Sequence, residues 1–168
     1  ELRRAIRKDE LLLYYQPQVD CLTQELIGVE ALVRWDHPRK GLIPPNDFIP
    51  LAEELNQIEL VGDWVLSKAL AQMSHWIDHG LKVPRVAVNI APQQLIPGLA
   101  DRVSNLLARY QIPAGALELE ITEGALERSD EIIDLLNRLR TMGVLLSIDD
   151  FGTGYSSLAH LKHLPVNC

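Results

Sequence analysis

Three separated segments of the chain share one alternating pattern. In RVAVNIA, Val86, Val88 and Ile90 fall on one parity while Ala87, Asn89 and Ala91 fall on the other. In ALELEIT, Leu117, Leu119 and Ile121 oppose Glu118, Glu120 and Thr122; in VLLSID, Leu146 and Ile148 oppose Ser147 and Asp149. Side chains alternate faces along a strand, so each segment reads as a strand with one apolar face and one polar face. Helix-period stretches follow each of them: about 93 to 110, Asp130 to Thr141, and Ser156 to His163. Strands alternating with helices specify parallel βα units. If the apolar faces meet the helices, the other faces enclose Asn89, Glu120 and Asp149. Isolated buried carboxylates are costly unless they are paired, hydrogen-bonded or bound to metal. A closed β/α barrel with its site at the carboxyl ends of the strands accommodates them, so the expected class is α/β, a TIM-like barrel.

The first third of the chain adds a different connection. Two apolar runs, Leu11 to Val19 and Glu25 to Trp35, are separated by DCLTQ, short enough for an antiparallel hairpin. After the loop HPRKGLIPP, Asn46 and Asp47 are candidate helix caps. Leu51, Leu55, Ile58, Val61, Val65 and Leu66, continued by Trp64, Met73, Trp76 and Ile77, then read as one helical pattern that Gly80 stops.

Composition narrows the function classes. With 168 residues, 47% hydrophobic and 23% charged, the chain has the make-up of one ordinary globular domain. No stretch approaches the ~20 apolar residues needed to span a bilayer, and the start, ELRRAIRKDELLLYY, lacks the apolar core of a secretory signal, so a cytoplasmic protein is expected. Cys21 and Cys168 have no metal-type spacing and suggest no disulfide framework. A net charge of -7 argues against a DNA or RNA partner, because binding to phosphates without sequence preference needs concentrated Lys and Arg. An anionic ligand would need metal ions or a few placed arginines. The five histidines form no ligand motif and are assigned to surface or packing, and Trp35, Trp64 and Trp76 to the core.

Five motifs stand in order: YYQPQVD at 14 to 20, GVEALVRW at 28 to 35, VAVNIAPQQL at 86 to 95, LELEITE at 117 to 123 and DDFGTGYSSL at 149 to 158. Together they resemble the EAL domain, the family of phosphodiesterases that linearise the bacterial second messenger cyclic di-GMP. The resemblance implies an EAL-type barrel with an antiparallel first strand. It also implies two divalent ions, Mg²⁺ or Mn²⁺, held by Glu30, Asn89, Glu120 and Asp149, with Asp150 completing the second site. Such a pair, ~4 Å apart, supplies both a nucleophile and charge neutralisation for phosphodiester hydrolysis. The implied catalytic set is Glu30, Asp149, Asp150 and Glu123. Gln16, Leu32 and Arg34 are the implied substrate contacts, with Arg34 on a ligand phosphate. Glu123 and Thr122 are implied to support the metal shell and the loop FGTGYSS, in which Gly152 and Gly154 permit a tight turn.

Two departures accompany the resemblance. Ala91 stands where the family usually has serine. The chain also ends, at LKHLPVNC, where the family would begin its next strand, which carries a lysine that orients the attacking water. That lysine, a later metal-binding glutamate and a water-supporting glutamine are not in the sequence. The expectation is therefore a single EAL domain over residues 1 to 168, holding about five strands and about two thirds of a barrel that is typically ~250 residues long. Such a piece is expected to be inactive alone and to dimerise through the DDFGTGYSS loop or an open sheet edge. The function implied for the parent protein is hydrolysis of cyclic di-GMP to linear pGpG. A non-catalytic cyclic di-GMP receptor and a regulatory interaction module are the alternatives.

Overall fold

A computed structural model of the chain describes residues 2–125 and 130–149. After the short helix α1 (Leu2–Arg7), strands β1 (Leu11–Val19) and β2 (Leu26–His37) form the expected antiparallel hairpin. Their register runs from Leu11 opposite Trp35 to Gln18 opposite Gly28, with an irregularity at Gln18/Val19. The segment expected to be a plain loop contributes a further strand, β3 (Gly41–Ile43), antiparallel to the end of β2. From there the chain alternates as its parity pattern requires. Strands β4 (Val86–Ile90), β5 (Leu117–Thr122) and β6 (Leu145–Asp149) join β2 in parallel, giving the order β1-β2-β4-β5-β6 with β3 on β2. Among the described residues this six-stranded mixed sheet is open.

The apolar parity packs against the helices, as its pattern implied. Val86, Val88, Leu117, Leu119 and Leu146 are fully buried, and Ile90 and Ile121 nearly so. They meet Leu66, Leu70 and Met73 of α3 (Ile58–Asp78), Leu99 and Val103 of α4 (Leu99–Tyr110), and Leu135, Leu136 and Leu139 of α5 (Asp130–Thr141) in one continuous core. Ile148, at the strand end, is half-buried. Tyr15 of β1 packs edge-on against Trp76, with ring centroids 4.8 Å apart, and burial pushes its hydroxyl up to about 12. Trp35 lies in the core and donates through Nε1 to Glu10 at 3.3 Å, whereas Trp64 and Trp76 are half-buried at its edge.

Two helices differ from expectation. The pattern from Leu51 to Ile77 is divided between α2 (Pro45–Glu54) and α3. Asn56 adopts φ 51°, a left-handed conformation asparagine tolerates, and the Gln57 amide reaches back to the Ala52 carbonyl at 2.7 Å. That is a helix stop built from one residue, and apolar spacing carries on across it undisturbed. Pro45 itself starts α2, with its missing N–H and fixed φ suited to the first helical position, so Asn46 and Asp47 are not its cap. The other difference is that 93 to 110 is not continuous. A 3-10 turn, Pro92–Gln94, precedes α4, which begins only at Leu99 because Pro97 disfavours helical backbone in the residue before it. Helices α3 and α5 end as glycine permits: Gly80 (φ 74°) and Gly143 (φ 95°) let the Leu81 and Val144 amides return to Trp76 and Leu139. Helix α5 itself matches its expected span, while the helix expected at Ser156 to His163 lies outside the described residues.

Among the described residues no helix is long and apolar enough to cross a membrane. Cys21 is exposed with a free thiol, and Cys168 lies outside the described residues. His37 is buried and structural, its Nδ1 accepting the Arg39 and Lys40 amides at 3.1 and 3.3 Å. His75 and His79 stack on the surface, and His160 and His163 lie outside the described residues.

Candidate functional site

The polar parity of the sheet assembles into layers. Gln16 lies opposite Glu30, and Glu30 beside Ala87. Asn89 lies beside Glu120, Glu120 beside Ser147, and Thr122 beside Asp149. Because paired residues share a face, five strands bring Gln16, Glu30, Asn89, Glu120 and Asp149 to one side of the sheet, with the last three toward the carboxyl ends of β4, β5 and β6. The joining geometry is partly explicit: Asn89 Nδ2 donates to Glu30 Oε1 at 2.8 Å. Glu30, Asn89, Thr122 and Asp149 line a common pocket of about 400 Å³ between β2, β4 and helices α2 and α3.

Electrostatics mark Glu120 as the strained member. Burial, reinforced by the charges of Glu30, Glu118 and Asp149, raises its carboxyl from 4.5 to about 7, and the Gln18 hydrogen bond, Nε2 to Oε1 at 3.5 Å, opposes this only weakly. Among the described residues no basic side chain lies within ion-pair distance of Glu30 or Glu120; Arg85 is committed to Glu118, Nε to Oε2 at 2.6 Å. Excess negative charge on an oxygen-only donor set suits a hard divalent cation. The chemistry of the donors thus fits Mg²⁺ or Mn²⁺. Among the described residues, however, no three of His, Cys, Asp or Glu converge tightly enough to cage an ion unaided.

The substrate-side residues sit on the β1–β2 hairpin. Leu32 is opposite Tyr14 and Arg34 opposite Leu12, two and four residues along the hairpin from the Gln16–Glu30 pair. The Arg34 guanidinium lies over the Tyr14 ring, 5.7 Å from its centroid, and Nη1 donates to the Val33 carbonyl at 2.8 Å. Among the described residues it forms no ion pair with Glu30 or Asp36, so the simple surface pairing available to it is not made. Glu123 begins a short 3-10 turn after β5, and its side chain lies outside the described set; so do Asp150, Gly152, Gly154 and the rest of the DDFGTGYSS loop beyond Asp149.

Motif reading passed over four residues. Gln18 and Glu118 are each two positions from a named residue and share its face, a signal the alternation already contained. Arg85, on the same parity as Asn89, pairs with Glu118 across 33 residues of sequence, and its stem runs where a Gly28 Cβ would stand, 2.7 Å from Arg85 Cγ. Gln94 is buried, and its Oε1 accepts the Ala91 amide at 3.0 Å.

Comparison with known proteins follows the same residues. The chain matches the family described as EAL domain over residues 1–168. It is 46% identical over 169 residues to the bifunctional diguanylate cyclase/cyclic di-GMP phosphodiesterase MucR of Pseudomonas aeruginosa, covering 99% of this chain and 25% of that protein. It is 47% identical over 169 residues to the cyclic di-GMP phosphodiesterase NbdA of the same organism, covering 99% of this chain and 22% of that protein. The chain therefore spans about a quarter of the length of these curated relatives. Among solved structures it is similar to the PaMucR phosphodiesterase in complex with c-di-GMP, with a TM-score of 0.93 and 46% identity over 99% of this chain and 68% of that one.

Proposed function

The chain belongs to the EAL domain family and has its TIM-like α/β architecture, and from that premise we propose that the parent protein hydrolyses cyclic di-GMP to linear pGpG with two divalent cations, Mg²⁺ or Mn²⁺. One observation carries the reading: Asn89, Glu120 and Asp149 share one face near the carboxyl ends of β4, β5 and β6, and Glu30 of β2 joins that face with Asn89 already bonded to it at 2.8 Å. Phosphodiesterase relatives at 46% and 47% identity support it.

In this proposal Glu30, Asn89, Glu120, Asp149 and Asp150 hold the ions. When bound, the ions supply a nucleophile from water at neutral pH and positive charge against the phosphoryl oxygens. The chain's own residues prepare the site. Asn89 spends its N–H on Glu30 and so keeps its amide oxygen as the donor for a cation. Glu120 retains a proton near neutrality because it is partly buried and its neighbours are anionic, and it would have to give that proton up to serve as a cation ligand. Arg34, steadied from below by Tyr14 and by the Val33 carbonyl, presents its remaining guanidinium N–H groups to a phosphate. Leu32 and Gln16 lie along the same face as further substrate contacts, and Glu123 belongs to the turn that follows Glu120 and Thr122.

A cytoplasmic setting goes with a messenger-degrading role, and a dimer is proposed as well, through the β6 edge or the DDFGTGYSS loop, to be checked by sedimentation. The activity test, on the full-length parent protein, is chromatographic detection of pGpG from cyclic di-GMP with Mg²⁺ or Mn²⁺. Product that disappears in Glu30→Ala and Asp149→Ala is expected. Tight ligand binding without product would overturn the enzyme reading in favour of a receptor.

A further inference from the structure

The loop that follows Asn89 is tied to helix α3 by one buried side chain. We infer that Gln94 is a positioning residue for Asn89, and that Gly62 exists to admit it; the inference rests on the cation-binding reading of Asn89 given above. Gln94 closes the 3-10 turn after β4 and is only 3% exposed. Its Oε1 accepts the Ala91 amide at 3.0 Å, while its own amide donates to the Ala91 carbonyl at 2.9 Å. Both backbone polar groups of Ala91, two residues beyond Asn89, are therefore held by a single residue.

Gly62 supplies the space. A Cβ built there would stand 1.7 Å from Gln94 Nε2 and 2.6 Å from Cδ, which no rotamer adjustment of a few tenths of an ångström relieves. Gly62 lies inside α3, where glycine is about 1 kcal/mol less favourable than alanine. A residue that weakens its own helix and touches the amide of a distant turn is explained by that contact. Asn89, in turn, is exposed, and the bond to Glu30 is its side-chain hydrogen bond among the described residues. Its amide therefore goes where its backbone goes. Ala91 has no hydroxyl to share the work, and Gly62, Gln94, Ala91 and Asn89 line the same pocket. Groups that orient a metal ligand typically change metal affinity 10–100-fold when removed.

The test measures the Mn²⁺ dissociation constant by electron paramagnetic resonance of free Mn²⁺, together with hydrogen exchange at the Ala91 amide and the melting temperature, on the full protein. Gln94→Met keeps length and burial but cannot accept the Ala91 N–H. It should bind Mn²⁺ about tenfold more weakly and exchange Ala91 faster while still folded. Gly62→Ala should reproduce both effects, yet add nothing in a Gln94→Ala background, where the Cβ meets no amide. Additive effects of Gly62→Ala and Gln94→Ala, or unchanged Mn²⁺ affinity in Gln94→Met, would overturn the inference. Asn89→Ala separates the two levels of argument. If it leaves Mn²⁺ binding intact, the metal reading fails and the brace falls with it. If it weakens binding while Gln94→Met does not, the brace alone fails.

Discussion

Replacing Glu120 with glutamine should stabilise the metal-free protein above pH 7 while abolishing its response to divalent ions. Burial and the charges of Glu30, Glu118 and Asp149 raise the Glu120 carboxyl from 4.5 to about 7. The folded chain therefore holds a proton that the unfolded chain releases between those values, and stability falls as pH rises through that window. At ~1.4 kcal/mol per tenfold change in proton affinity the deficit above pH 7 would be roughly 3 kcal/mol. Glu120 is only half-buried, so solvent screening reduces this to about 1–2 kcal/mol. Glutamine carries no charge at any pH and keeps an oxygen for the Gln18 Nε2 bond. For a chain of this size, differential scanning calorimetry in chelator should show Glu120→Gln melting about 3–6 °C higher at pH 8. At pH 4 the gap should close, because the wild-type carboxyl is then protonated in both states. Saturating Mn²⁺ should raise the wild-type transition and leave the variant unmoved. A variant less stable than wild type at pH 8, or an equal gap at both pH values, would refute the electrostatic account.

Other perturbations probe other links. Arg85→Met should cost about 3–5 kcal/mol in urea unfolding, because it strands a carboxylate whose side chain is 7% exposed; adding Glu118→Leu should recover most of the loss. Arg34→Lys should raise KM for cyclic di-GMP about tenfold in steady-state assays with a smaller effect on kcat, since an ammonium cannot grip a phosphate in two places. In thermal unfolding Asn56→Gly should preserve or slightly raise stability, whereas Asn56→Val should lower it by about 1–2 kcal/mol, because a β-branched residue resists φ 51°.

The period-2 alternation made the interior of the sheet legible. Which face of a strand a residue joins depends on its own parity and needs no distant partner. Val86, Leu117 and Leu146 against the helices, and Asn89, Glu120 and Asp149 on the opposite face, followed from that alone. The motifs added chemistry to the parity and named the family. Breaks were harder to see. Apolar spacing from Leu51 to Ile77 is continuous, yet one left-handed residue at Asn56 divides it, because a helix stop is set by backbone hydrogen bonds that leave side-chain periodicity intact. The short strand Gly41–Ile43 pairs only because β2 runs on to His37 and offers an edge.

Sequence by itself thus determined the fold class, the opening hairpin, the alternation of βα units, and which carboxylates share a face, since each is written in local periodicity and motif. Tertiary structure decided what those carboxylates feel and what holds their loops. Glu120 titrates near neutrality only when folding buries it and three strands bring Glu30, Glu118 and Asp149 around it. Arg85 meets Glu118 over Gly28, and Gln94 enters the notch at Gly62, only when segments far apart in the chain are packed together. Coulomb interaction and steric exclusion act through space, and the distances that set them exist only in the folded chain.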